Sequence, residues 1–124
     1  MAMTKLFVYG TLKRGHGNHR AFLKDARFLG EAKTHRKMWG LVDLGAFPAM
    51  TYDELQVEGE VYEVSPSQLA SIDSLEGLDT GLYSRHTIEI DIDGELHDCD
   101  TYLMFAPQML GRLQEQERKA VWRG

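Results

Sequence analysis

Three groups of residues in this 124-residue chain have the types and spacing to do chemistry: the segment Tyr9-Gly10-Thr11-Leu12-Lys13-Arg14-Gly15, the carboxyl of Glu76, and the pair His16 and His19. In the first, the strand-forming residues 5–9 run straight into a turn where Gly10 permits backbone angles closed to other residues. Successive amides of such a turn can converge on one anion. The same residues also read as a tight surface turn with two solvated cations. The spacing from Gly10 to Gly15 matches the first part of a phosphate-binding P-loop, but His16 and Gly17 stand where Lys and Ser or Thr are needed. Nucleotide triphosphate binding is therefore excluded, and the turn suits a smaller anion such as a carboxylate.

Glu76 closes a helical pattern in which Leu69, Ile72 and Leu75 form the apolar stripe. At about 100° per residue it falls between Ile72 and Leu69, so an acid points inward. Desolvation, the negative end of the helix dipole and Asp73 just under one turn earlier would all raise its pKa, which suits a group that takes a proton and returns it. The competing reading is a residue solvated at a frayed helix end, or paired with Arg85. His16 and His19 have a spacing compatible with two metal ligands on a helix, but no third ligand is apparent and no metal is expected. Ser74 and Ser84 lack a nucleophile-elbow setting, and Cys99 has no evident activator.

The elements that must position these residues follow from pattern. Residues 18–24 form a short helix with Ala21, Phe22 and Leu23 inward, and residues 27–35 and 38–44 are extended. Gly40, Gly45 and Pro48 argue for bends, and residues 56–64 form a strand with Val57, Gly59 and Val61 on one face. Ser65 as N-cap, Pro66 at the first helical position and Gln68 three residues after the cap start a helix that runs to about Glu76 and stops at Gly77. Residues 83–93 alternate, with Ile88, Ile90 and Ile92 on one face. Asp93-Gly94 turns the chain into a returning strand over residues 95–105. Pro107 opens a C-terminal helix with Leu110, Leu113, Val121 and Trp122 as apolar contacts. Strands dominate and connections are short, so the fold class is α+β, a small mixed or antiparallel β-barrel with flanking helices.

Length gives one domain over residues 1–124. With 43% hydrophobic and 27% charged residues the composition is that of a soluble globular protein. No apolar run approaches the ~20 residues of a membrane span and the N-terminus lacks a signal-peptide core, so a cytoplasmic chain without a membrane partner is expected. The lone Cys99 excludes an intrachain disulfide and fits a packing role. Formal charge is −5, yet residues 1–37 carry nine Lys and Arg against Asp25 and Glu31. The overall acidity opposes nucleic acid as a partner, and no nucleic-acid module is recognised. A basic rim that steers a small anion toward Gly10 fits, as does simple pairing of the two charge classes across the fold.

Val8-Tyr9-Gly10-Thr11-Leu12-Lys13-Arg14-Gly15, Val57-Glu58-Gly59-Glu60-Val61-Tyr62, Ile72-Asp73-Ser74-Leu75-Glu76-Gly77 and Tyr83-Ser84-Arg85 together resemble the γ-glutamylcyclotransferase-like family, closest to its γ-glutamylamine cyclotransferase branch. The blocks lie in order over residues 8–85. The resemblance implies a small β-barrel with flanking helices. It places Tyr9, Gly10, Thr11 and Leu12 on the floor of a substrate cavity, makes Glu76 the catalytic acid/base and sets Tyr83 in the cavity wall. For Arg85 it implies a structural pairing only. The implied reaction needs no cofactor: a γ-glutamyl amine or γ-glutamyl amino acid cyclises to 5-oxoproline and releases free amine. Residues 38–54 and those after Phe105 match no family pattern, so the leaving amine is left open. The oligomeric state is open too, with a monomer as the starting expectation. The alternative on the same fold is a non-catalytic module that binds a small metabolite or docks a protein.

Overall fold

The computed structural model describes residues 3–10, 12–15, 18–43, 48–75, 83–104 and 120–122. Seven strands and two helices follow in the order β1 (Thr4–Val8), α1 (His19–Phe22), β2 (Arg27–Thr34), β3 (Trp39–Asp43), β4 (Pro48–Tyr52), β5 (Glu58–Val64), α2 (Pro66–Leu75), β6 (Ser84–Ile92) and β7 (Glu95–Leu103). Five strands close a barrel in the order β1-β5-β2-β6-β7, and β3 and β4 form a separate two-stranded ribbon. All pairings are antiparallel except the closure itself, where Leu6 of β1 meets Asp100 of β7 in parallel. The sheet is therefore mixed.

Strand β1 is the central piece, because alternation sends its side chains to two cores at once. Leu6 and Val8 join Leu12, Leu23, Val64, Ile72 and Tyr102 on one side. Phe7 and Tyr9 join Trp39, Leu41, Val61, Ile90 and Leu103 on the other. A strand buried on both faces reads as a continuous apolar run, which is what residues 6–9 are. The hairpin of β6 and β7 forms as its sequence predicts. Asp93 and Gly94 carry φ of +52° and +87°, the double positive φ of a type I′ turn, and Asp91 accepts the Gly94 N–H at 2.6 Å.

Helix α2 begins with the expected capping box. The Ser65 N–H donates to Gln68 Oε1 at 2.8 Å, and the Gln68 N–H donates to Ser65 Oγ at 3.2 Å. Its buried stripe is narrower than the pattern suggests: Ile72 is buried and Leu69 packs against the core, but Leu75 is 40% exposed. Likewise α1 turns Leu23 and Phe22 inward but leaves Ala21 exposed, since four helical residues cannot present three neighbours to one core. Gly40 and Pro48 lie within the paired ribbon, not at bends. Pro48 opens β4, the position where a strand tolerates a missing donor. Gly45 and the start of the expected C-terminal helix (Pro107, Leu110, Leu113) lie outside the described residues. Residues 120–122 dock on β5, where the Glu58 N–H donates to the Ala120 carbonyl at 2.7 Å, and Trp122 is buried. Among the described residues no helix is long and apolar enough to cross a membrane.

Candidate active site

Of the residues that the sequence singles out, Tyr9, Gly10, Leu12 and Tyr83 are described; Glu76, Thr11 and His16 lie outside the described residues. Tyr9, Gly10 and Tyr83 converge on one short piece of backbone, residues 48–50 at the start of β4. The Tyr9 hydroxyl accepts the Met50 N–H at 3.3 Å and donates to the Tyr102 carbonyl at 2.6 Å. The Tyr83 hydroxyl donates to the Pro48 carbonyl at 2.9 Å. Both tyrosines are buried, and in these bonds both hydroxyls are committed to backbone. Each phenol thus braces β4, with its ring in the core.

Gly10 is required for room, not for backbone angle. Its φ is not among the positive values, which occur at Gly15, Gly30 and Gly94, but a Cβ placed on it would stand 2.7 Å from Cδ and from Cγ of Pro48. The turn that follows is partly self-satisfied. The Lys13 N–H donates to the Gly10 carbonyl at 3.0 Å. The Arg14 N–H grips a carboxylate at 2.8 Å, but it is the chain's own Glu60. Two amides of the expected anion nest are thereby spent inside the fold. The Tyr62 hydroxyl donates to the same Glu60 oxygen at 3.0 Å, with its pKa pushed up to about 12 by burial and then by the Glu60 charge.

The two cations of the turn part company. Arg14 is exposed and lies over the Phe28 ring, 4.3 Å from its centroid. Lys13, instead of being solvated, is 9% exposed and donates to the Trp122 carbonyl at 2.7 Å, which ties residues 120–122 to the turn. His19 Nδ1 donates to the Leu12 carbonyl at 3.0 Å, a contact that needs the proton on that nitrogen. Among the described residues no group of three or more His, Cys, Asp or Glu could hold a metal. Cys99 is buried, and burial raises its thiol to about 11, so it stays protonated.

Behind this cluster runs a polar network toward α2. The Tyr102 hydroxyl donates to Asp73 Oδ1 at 2.6 Å. Arg85 Nε pairs with the same oxygen at 3.1 Å, and its Nη1 pairs with Asp100 Oδ2 at 2.7 Å. Arg85 is thus the structural pair-former that the resemblance implies, with Asp73 and Asp100 as partners. The Asp73 charge is compensated by Arg85. Sequence reasoning gave no site role to Pro48, Met50 or Tyr102, because their contacts with Tyr9, Gly10 and Tyr83 join residues far apart in the chain, which no local pattern announces.

Trp39 stacks on Tyr52 with ring centroids 5.2 Å apart, at the far end of the ribbon from Pro48. Four residue steps along the strand separate the two ends, about 13 Å at the usual rise. A groove of about 380 Å³ there is lined by Arg36, Met38, Trp39, Tyr52, Glu89 and Leu103 among others, and shares no residue with the Tyr9, Gly10 and Tyr83 cluster. Phe47 lies outside the described residues.

Fold and geometry define a mixed α+β barrel whose first strand ends in a glycine turn beneath a two-stranded ribbon. Residues 6–123 match the family described as gamma-glutamyl cyclotransferase, AIG2-like, and the chain belongs to that family. It is 34% identical over 122 residues to a Methanocaldococcus jannaschii protein named "Putative gamma-glutamylcyclotransferase", covering 98% of this chain and 100% of that one. It is 31% identical over 131 residues to the gamma-glutamylaminecyclotransferase of Rattus norvegicus, covering 87% and 84%. Its fold superposes on the crystal structure of a Mus musculus AIG2-like protein with a TM-score of 0.83 at 28% identity, over 99% of this chain and 90% of that one.

Proposed function

We propose that the protein converts a γ-glutamyl amine or γ-glutamyl amino acid into 5-oxoproline and free amine, with Glu76 as general acid/base. The substrate carries its own nucleophile. Its α-amino nitrogen attacks the γ-carbonyl carbon, a five-membered ring closes, and the bond from that carbon to the departing nitrogen breaks. Between α-ammonium and lactam N–H the attacking nitrogen gives up two protons, and the departing nitrogen gains two to leave as an ammonium. One carboxyl that alternates between its forms ferries them, a role typically worth ~10² to 10⁴-fold in rate. No cofactor enters this balance.

The reading draws its support from the convergence of Tyr9, Gly10 and Tyr83 on residues 48–50. Three positions named by family resemblance frame one wall, with the glycine turn against it. Main-chain donors of residues 10–12 bind the substrate's α-carboxylate or carbonyl oxygen, and the rings of Tyr9 and Tyr83 line the cavity. The amides of Lys13 and Arg14 are occupied elsewhere and take no part. The buried Lys13 ammonium adds positive potential to the same turn, which favours an anionic substrate. Helix α2 buries Ile72 and packs Leu69 inward, and the sequence pattern that sets Glu76 between these two in angle supports an inward carboxyl. Such preorganisation can supply up to about 7 to 11 kcal/mol when the chain is held in a near-attack conformer.

The test is a panel of γ-glutamyl amines, γ-glutamyl amino acids and glutathione incubated with the protein, with 5-oxoproline and free amine quantified. At least one member is expected to yield the two in equal amounts. Saturable binding of panel members without any product would replace the enzyme by the metabolite-binding module.

A further inference from the structure

Tyr102 serves two elements at once. Its hydroxyl holds Asp73 in the last turn of α2 at 2.6 Å, while its carbonyl receives the Tyr9 hydroxyl at 2.6 Å, one residue before Gly10. The Tyr9 hydroxyl in turn accepts from Met50 of β4 at 3.3 Å. On the other side of Asp73, Arg85 ties the helix to β6 and, through Asp100, to β7. Asp100 is itself fixed by the Thr87 hydroxyl at 2.8 Å. Asp73 thus ties α2 to both strands of the hairpin that carries the Tyr9 contact.

Apolar contact holds only one face of the last turn of α2: Ile72 is buried, but Leu75 is 40% exposed. Hydrophobic contact is non-directional, whereas short hydrogen bonds to a carboxylate are directional and strong. For packing alone, a phenylalanine at 102 would serve without burying a hydroxyl.

We propose that Tyr102, acting through Asp73 and with Arg85 as its counter-clamp, is a positioning residue for the cyclisation. It sets the end of α2 that leads to residue 76 in one frame with the Tyr9-Gly10 turn. The proposal rests on the assignment of Glu76 as acid/base. Positioning errors of about 1 Å can cost on the order of 100-fold in rate.

Tyr102→Phe keeps the ring and the carbonyl and removes the hydroxyl that bonds Asp73. Its kcat is expected to fall about 10- to 100-fold, with KM within about twofold of the wild type. Asp73→Ala should lose kcat similarly, and Asp73→Asn, which keeps an acceptor for the hydroxyl, should recover most of it. If Tyr102→Phe does not fold, the Ala and Asn pair at position 73 carries the same test. An active wild type whose Tyr102→Phe variant melts lower but keeps kcat per folded molecule would overturn the positioning role alone, as would no recovery in Asp73→Asn. A wild type that forms no 5-oxoproline on the panel would overturn the enzymatic reading and this role together.

Discussion

Gly10 illustrates how a single hydrogen atom can be a structural requirement. With Pro48 ring carbons 2.7 Å from where a Cβ would stand, Gly10→Ala must displace either the turn or the start of β4, and a proline ring cannot swing aside as a long side chain does. Overpacking of this kind costs about 1 to 3 kcal/mol. A lowered denaturant midpoint with an unchanged slope is the expected outcome, and a variant as stable as wild type would show that the contact is slack. The sequence identified this glycine but for another reason, a special backbone angle, which the chain uses instead at Gly15 with φ of +88°. The likeness of the block around Gly10 to a family motif pointed to this residue, while its physical requirement lies in a partner 38 positions away that no local pattern announces. Lys13 is similar: as a sequence feature it is a surface cation, and only the docking of residues 120–122 makes it a buried donor.

Elements with local instructions were legible, and elements made by long-range pairing were not. The capping box of α2 was readable residue by residue, because its two hydrogen bonds join residues three apart. Ser65→Ala should therefore destabilise the fold by about 1 kcal/mol, read as a shift in unfolding midpoint; an unaltered midpoint would mean that water replaces the cap without loss. The β6–β7 hairpin was equally plain from its alternation and its Asp93-Gly94 turn. By contrast β4 went unrecognised, since Pro48 and the glycines around it signal a break, and its pairing with β3 comes from tertiary context. The buried stripe of α2 was drawn too wide because periodicity gives angles but not what the helix leans against, and Leu75 is 40% exposed. The polar contacts of Asp73 were invisible for the same reason. They reach residues 12 and 29 positions along the chain, on β6 and β7.

At the scale of the whole molecule, part of the charge asymmetry between the N-terminal third and the rest is met across the strands. Lys5 and Arg27 both register against Glu63, Lys33 registers against Glu58 and Asp91, and Arg36 pairs with Glu89 at 3.2 Å. Opposite charges facing each other across strands stabilise a sheet modestly. The barrel was legible as a class, from short connections and dominant strands. Its parallel closure between β1 and β7 was not, because nothing local to either strand encodes a partner more than ninety residues distant. The closure brings Tyr9 to Tyr102 and so links the glycine turn to helix α2 through Asp73. The central claim is that this carboxyl moves the protons of an intramolecular cyclisation. It is tested most directly by the kcat of Glu76→Gln, measured as 5-oxoproline release on the best substrate of the panel, beside the affinity of the same variant for 5-oxoproline. The account predicts a fall of about 10² to 10⁴-fold in kcat with product affinity intact; turnover equal to wild type would contradict it.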